Sequence, residues 1–325
     1  MPLSYPVLSD VLTSRPLLFG LFLVLLCGLY STALQARDRD GPAYCGDSGV
    51  WLQILGSGGP ELLDERTSPS YLIWVDGKAR MLVNLGPAAS YNFNRSRGRI
   101  EDLEAVAFNN LQAQHAADLP GLLAGGLESE RRERLPLLGP DGNDTLPGLS
   151  DMLERLIGED GAFPQLEGFL RPASGTPFRL SLREVPATGS RRWAQFGSEH
   201  LMLSAIPVHH GDVPALAWRV EIDDISITFA GSFNNQKNLM HEFAKDTDAL
   251  VVHHAINDNA RGQLRDLHVT PSQIGRIASD ANARMVILGH RSMRTRGVES
   301  LTRESIQEQF NGPIIFATDL QCWGL

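Results

Sequence analysis

Apolar and polar positions along this chain follow two periods, and together they predict a mixed α/β architecture. The run 50–55 (VWLQIL) reads as a strand stopped by Gly56-Ser57-Gly58-Gly59. Residues 70–75 and 80–85 read as two strands joined through Asp76-Gly77, a dipeptide suited to a tight hairpin. A short helical turn at 100–103 leads into a strand at 105–108. A helix at 120–126, a strand at 135–138 and a loop at 139–143 follow. Leu149, Met152, Leu153, Leu156 and Ile157 recur with helical spacing and predict an amphipathic helix over 149–157. The second half repeats the style. Strands are expected at 178–185, 201–208, 215–222 and 226–230, the last two meeting at Asp223-Asp224. Helices are expected at 238–245 and 272–283, and buried strands at 249–253 and 285–288, with 313–317 closing the sheet. Hairpins mixed with strand–helix–strand units imply a mixed sheet flanked by helices. No linker or short repeat interrupts the pattern after residue 40, so 41–325 reads as one domain.

The first 40 residues differ. Residues 16–36 are almost continuously apolar, with Arg15 before them and Arg37-Asp38-Arg39-Asp40 after them. A membrane anchor needs about 20 such residues and a signal-peptide core about 7–15, so the run fits either. Small residues at Ser31-Thr32-Ala33, or the step after Ala36, offer cleavage points, whereas Leu26 before Cys27 makes a poor lipoprotein signal. The expectation is a periplasmic or other extracytoplasmic domain, released by cleavage or held to the inner membrane. Cys45 and Cys322 lie near the two ends of that domain. An oxidising compartment favours a disulfide between them, the alternative being two unrelated buried thiols. The formal net charge of −9 gives no general attraction to nucleic acid. Arg131-Arg132-Glu133-Arg134 and Arg191-Arg192 read as solvated loop charges.

The chemistry concentrates in residues 108–120, which read F-N-N-L-Q-A-Q-H-A-A-D-L-P. This segment resembles the first metal-binding loop of metallo-β-lactamase-fold hydrolases, where H-x-H-x-D-H precedes a small-small-x-Leu-Pro helix start. Further segments extend the resemblance over nearly the whole mature chain. They are Leu55-Gly56-Ser57-Gly58, the stretch 71–86, the stretch 206–220 with His209-His210-Gly211-Asp212-Val213-Pro214, Phe229-Ala230-Gly231, Leu267-His268-Val269-Thr270-Pro271 and Val286-Ile287-Leu288-Gly289-His290. The branch resembled includes the tRNA 3′-processing endonucleases and arylsulfatase-like members. The resemblance implies a four-layer αββα sandwich of mixed sheets with its site at one sheet edge. It also implies two metals, often zinc, bridged by a water that attacks the substrate.

Carried over position by position, the pattern is depleted. His115 matches the last histidine of the first motif, His210 the histidine before the Val-Pro hairpin, and His290 the terminal histidine. Asn110 and Gln112 stand where the resemblance expects histidines. Gln114 stands in place of the motif aspartate, Ser232 in place of the bridging aspartate, and Asn84 in place of a supporting aspartate. All three carboxylates compared are replaced by uncharged polar groups. Amide oxygens are weak zinc ligands, and two dications without carboxylates would be uncompensated. The expected complement is therefore no metal or one zinc, not two. His268 resembles a proton-donating histidine of the nuclease branch, though it could instead cap the helix near Pro271. His209 is a weaker ligand candidate than its neighbour. His253-His254 reads as packing, His200 and His241 as surface or loop residues, and Asp118 as no replacement ligand.

Two readings follow. In the first, the chain is an exported, atypical or inactive hydrolase homologue that binds a small molecule or a protein partner, with no nucleic-acid partner. In the second, it is a single-zinc hydrolase in which His115, His210 and His290 activate water against an ester-type bond.

Overall fold

The computed structural model describes residues 45–171, 175–189 and 193–325, so the apolar run at 16–36 and the Arg191-Arg192 pair lie outside the described residues. Among the described residues no helix is long and apolar enough to cross a membrane. The strands are β1 (Val50–Gly56), β2 (Ser70–Val75), β3 (Lys78–Val83), β4 (Ala105–Ala107), β5 (Leu135–Pro140), β6 (Leu180–Val185), β7 (Trp193–Gly197), β8 (Met202–Val208), β9 (Ala215–Ile222), β10 (Ile225–Gly231), β11 (Ala249–His253), β12 (Met285–Gly289), β13 (Ile314–Phe316) and β14 (Cys322–Gly324). They form two sheets, β14-β1-β2-β3-β4-β5-β6 and β13-β12-β11-β10-β9-β8-β7.

Each sheet begins with antiparallel hairpins and continues with parallel crossovers. β1, β2 and β3 are antiparallel, whereas β3 to β6 run parallel. β8, β9 and β10 are antiparallel, whereas β10 to β13 run parallel. The change follows from the connections. Two residues suffice between β2 and β3, where Asp76 and Gly77 both adopt positive φ and so match the strand twist. Parallel neighbours need a longer crossover, which the helices supply.

Strand periodicity sorts the side chains into layers. On β2, Tyr71 and Ile73 face the core between the sheets, with Leu52, Ile54, Trp218, Phe229 and Ile287. Leu72 and Trp74 face the other way, onto Phe93, Leu119, Leu123, Leu149 and Leu153. Beyond the second sheet, Phe243, Ile274, Ile277 and Ile306 cover Leu250, Val286 and Leu288. This is the αββα sandwich that the resemblance implies.

The structure departs from the expected elements where tertiary contacts override local pattern. β13 closes the second sheet at its edge, as expected over 313–317, but the chain goes on. It crosses to the first sheet, where β14 pairs with β1, and Cys322 is bonded to Cys45 with the Cα atoms 5.6 Å apart. The helix expected over 238–245 shrinks to Met240–Phe243, bracketed by left-handed Asn238 and Asp246. The helix Glu299–Gln307 buries only Thr302 and Ile306 and so lacks the apolar stripe that marks 149–157, and β7 adds a further strand. Arg131 is not a solvated charge: it is 5% exposed. Its guanidinium donates to the carbonyls of Ile100, Leu103, Glu133 and Arg134 at 2.7–2.8 Å. Those carbonyls lie outside the strands, and the five-donor fork of one arginine serves all four.

Candidate functional site

The loop after β4 is held by amides rather than charges. Asn84, left-handed at φ 62, and Asn109 form a reciprocal pair: Asn84 Nδ2 donates to Asn109 Oδ1, and Asn109 N–H donates to Asn84 Oδ1, both at 2.9 Å. Asn109 Nδ2 then donates to the carbonyls of Leu216 and Phe229 at 2.8 and 3.2 Å. One buried amide thus fastens the loop to β9 and β10 across the sandwich. Nothing in the local sequence marks this role, because a second asparagine beside Asn110 is silent until β9 and β10 are placed beside it. Asn110 Oδ1 accepts from the N–H of Gln112 at 3.0 Å, and Gln114 Nε2 donates to Gln112 Oε1 at 3.0 Å. The loop then turns into the short helix Ala113–Ala116, which buries His115.

The remaining site residues come from strand ends. Ser232 follows β10, His253 ends β11 and His290 follows β12, three adjacent parallel strands. Side chains at the carboxyl ends of such strands converge on one crevice. Gly231 and His290 both take positive φ, turning the chain sharply as it leaves the sheet. Gly289 lies against the Tyr71 hydroxyl so closely that a Cβ there would collide with it.

Three imidazoles meet. The ring centres of His115 and His253 are 5.4 Å apart, those of His115 and His290 5.2 Å, and those of His253 and His290 4.6 Å, with interplanar angles of 5°, 19° and 23°. His253 Nδ1 lies 2.8 Å from Ser232 Oγ. His210 packs instead beside His268, centres 5.2 Å apart at 59°, and its Nδ1 donates to the Leu267 carbonyl at 3.0 Å. Burial pushes all five below the usual imidazole value, reinforced by neighbouring imidazoles. His115 and His253 fall well below it, His268 to about 4 and His290 to about 3. At His210 the Leu267 carbonyl partly offsets burial. The cluster is therefore neutral at neutral pH.

Several expectations need correction. His253 does not merely pack; it is central to the cluster. His268 is not a helix cap, since Thr270 and Gln273 form a capping box there and leave His268 to face His210. His200 lies in the loop between β7 and β8, as expected, where its Nδ1 is 2.6 Å from Glu104, which also pairs with Arg80. His254 does pack, with Nε2 3.1 Å from Thr302 Oγ1. Asp118 accepts the N–H of Ser90 at 2.6 Å and so serves the neighbouring helix. His209 lines a separate 370 Å³ cavity with Asp212 and Lys237.

Does this donor set fit the metals that the resemblance implies? Two dications do not fit, because the imidazoles are joined by the Ser232 hydroxyl but, among the described residues, no carboxylate acts on them. A single ion is a different case. Both ring nitrogens of His115 and His290, Nε2 of His253 and Nδ1 of His268 are buried without a hydrogen-bond partner. Buried polar groups are rarely left so. Imidazoles sharing one tetrahedral ion at about 2.0–2.1 Å would set their ring centres about 5 Å apart. The first trio shows that spacing. Its rings are nearly parallel, however, and among the described residues no three side chains of metal-binding type are arranged so that they could hold an ion.

Comparison with known proteins agrees with the fold. The model of the beta-lactamase superfamily domain matches residues 79–291. Ribonuclease Z of Ignicoccus hospitalis is 26% identical over 168 residues, 52% of this chain and 48% of that protein. Ribonuclease Z of Metallosphaera sedula is 31% identical over 106 residues, 33% of this chain and 34% of that protein. The chain spans about half the length of the first of these relatives. Among solved structures, human tRNase Z, short form, superposes with TM-score 0.64 at 17% identity, covering 84% of this chain and 98% of that one. The metallo-beta-lactamase fold protein YhfI from Bacillus subtilis gives 0.63 at 17%, covering 85% and 100%. Zn(2+)-bound PqqB from Methylobacterium extorquens gives 0.60 at 14%, covering 85% and 100%. At these identities the structures share the fold.

Proposed function

The chain belongs to the beta-lactamase superfamily, and from that membership we propose that it is an atypical member whose two-metal hydrolytic centre has been dismantled, leaving an imidazole-lined site for a small ligand or protein partner. One observation carries this reading. Among the described residues no carboxylate acts on the cluster of His115, His210, His253, His268 and His290, and neutral side chains stand at Asn84, Asn110, Gln112, Gln114 and Ser232. Two dications there would face only neutral donors in a buried, low-dielectric setting, where uncompensated charge is costly.

A second reading is favoured by the unpartnered imidazole nitrogens: a hydrolase with one zinc, of the kind first expected on His115, His210 and His290. Zinc supplies a bound water of lowered pKa when three protein ligands leave its fourth position open. His268, beside His210 and with Nδ1 unpartnered, is then placed to carry a proton. The relatives named ribonuclease Z return RNA to the candidate substrates despite the net acidity of this chain.

The proposal extends to location. The run at 16–36 and the bonded Cys45 and Cys322 both favour an extracytoplasmic domain, anchored or released. A reporter enzyme fused after Asp40 is expected to be active only outside the cytoplasm. For the site, full-length protein is assayed for bound metal and for cleavage of p-nitrophenyl esters, bis-p-nitrophenyl phosphate, p-nitrophenyl sulfate, nitrocefin and a precursor tRNA. At most one metal and no turnover are expected. Two retained metals overturn the reading, and turnover with one metal establishes the second.

A further inference from the structure

We propose that the Cys45–Cys322 disulfide is a redox latch on the histidine site: closed, it holds Asp319 in a clasp on the loop between β1 and β2, and that loop holds the turn that carries His290. The inference rests on the reading of the histidine cluster as the functional site and names a regulation of it.

The clasp is one carboxylate serving both ends of a loop. Asp319 Oδ1 accepts from the N–H and the hydroxyl of Ser57 at 2.8 and 2.7 Å, and Oδ2 accepts from the N–H and the hydroxyl of Thr67 at 2.7 and 2.9 Å. The N–H of Gly58 donates to the Thr67 carbonyl at 2.8 Å and closes the same base. Hydrogen bonds to a carboxylate are about twice as strong as neutral ones, so Asp319 dominates the closure of residues 57–67.

The loop in turn holds the site. The N–H of Arg291 donates to the Ser57 carbonyl at 2.8 Å, and Arg66 Nη2 donates to the Arg291 carbonyl at 2.8 Å. Gly59 lies so close to Ser292 that a Cβ there would stand 3.1 Å from the Ser292 Cα. His290 precedes this anchor and takes a φ of 42, a left-handed conformation that persists only where the surroundings fix it. Its ring packs on those of His253 and His115 and is 4% exposed. Loosening Ser57 therefore releases one side of the His290 turn.

The disulfide decides how firmly Asp319 is placed. Asp319 stands three residues before Cys322. Without the bond, its segment rests on β14, three residues at a sheet edge, and on backbone bonds joining Ile54 to Leu320 and Gln321. So short an edge strand is marginal by itself, and such segments open first. Cys45 is buried and Cys322 half-buried, so a dithiol reductant attacks the Cys322 sulfur. The Cys45–Cys322 bond breaks, Cys45 leaves as a thiolate and takes a proton, and the reductant's second thiol closes its own disulfide and frees Cys322. Two electrons pass to the protein. The reverse step, with a disulfide as oxidant, closes the latch.

The experiment follows full-length protein, oxidised or held in dithiothreitol, by hydrogen–deuterium exchange and by carbethoxylation of His290 with diethyl pyrocarbonate. Reduction is expected to speed exchange over 57–67 and 290–292, and modification of His290, about tenfold or more. Strands β5 and β11 should keep their protection. Asp319→Ala should exchange fast over 57–67 already when oxidised and respond little to dithiothreitol, because the link is cut. Unchanged exchange on reduction, loss confined to 318–325, or equal loss in β11 overturns the latch. A response to dithiothreitol as large in Asp319→Ala as in the parent overturns the role of Asp319. These readouts need neither metal nor turnover, so they succeed or fail apart from the assays that test the dismantled-centre reading.

Discussion

His253 and Ser232 are joined by a 2.8 Å hydrogen bond between Nδ1 and Oγ, spanning the ends of two adjacent parallel strands. A carboxylate in place of the hydroxyl can only accept at that contact, which favours the proton on Nδ1, and it adds the negative charge that the cluster lacks. Ser232→Asp is therefore expected to tighten Zn(II) binding about tenfold or more, read by dye competition at neutral pH. Equal or weaker binding would show that charge at this position does not limit the site.

Stability should depend on pH through the buried imidazoles. His254 and His268 are held down to about 4 and His290 to about 3, chiefly by burial. Between the ordinary value of about 6.5 and these depressed values, the unfolded chain binds more protons than the folded one, so stability rises with pH across that window. It should be fully present above about pH 6.5 and decline as pH falls toward 4. Urea midpoints with a chelator present should drop between pH 7 and pH 4.5, and His268→Gln should flatten the slope. A midpoint constant over that range would contradict the burial of these rings as neutral groups.

Arg131 holds four carbonyls from a buried position. Arg131→Met fills similar space but removes the guanidinium donors from those carbonyls, of which Ile100 keeps only its long 3.4 Å bond from the Leu103 N–H. With about 1–3 kcal/mol for each unmet buried polar group and some recovery by water, a loss of about 3 kcal/mol is expected by denaturant titration. A loss below about 1 kcal/mol would return Arg131 to the solvated charge first read from the sequence.

The disulfide closes almost the whole domain, 277 residues apart in sequence. Replacing Cys45 and Cys322 by serine should cost about 2–4 kcal/mol. The melting temperature of the parent protein, but not of the double variant, should fall when reductant is added. Reductant-insensitive melting of the parent would mean that the two cysteines are not bonded in solution.

The sequence alone determined the local elements and the chemical identity of the donors. Asp76-Gly77 set its hairpin because two residues suffice to fix a turn. Helix 149–157 was legible because its buried face repeats every turn. The replacement of carboxylates at Gln114 and Ser232 was legible because a motif spacing is itself a sequence property. What only the tertiary structure decided is which donors meet. Strand pairing is non-local, so nothing near His253 announces that Gly289 will lie opposite it and bring His290 alongside. The same holds for β14, whose three residues carry too little pattern to declare a strand until β1 offers an edge. It holds for Arg131, whose burial depends on carbonyls 28 and 31 residues away. Side-chain chemistry is written residue by residue, but proximity is fixed by sheet register, a property of segments far apart in the chain.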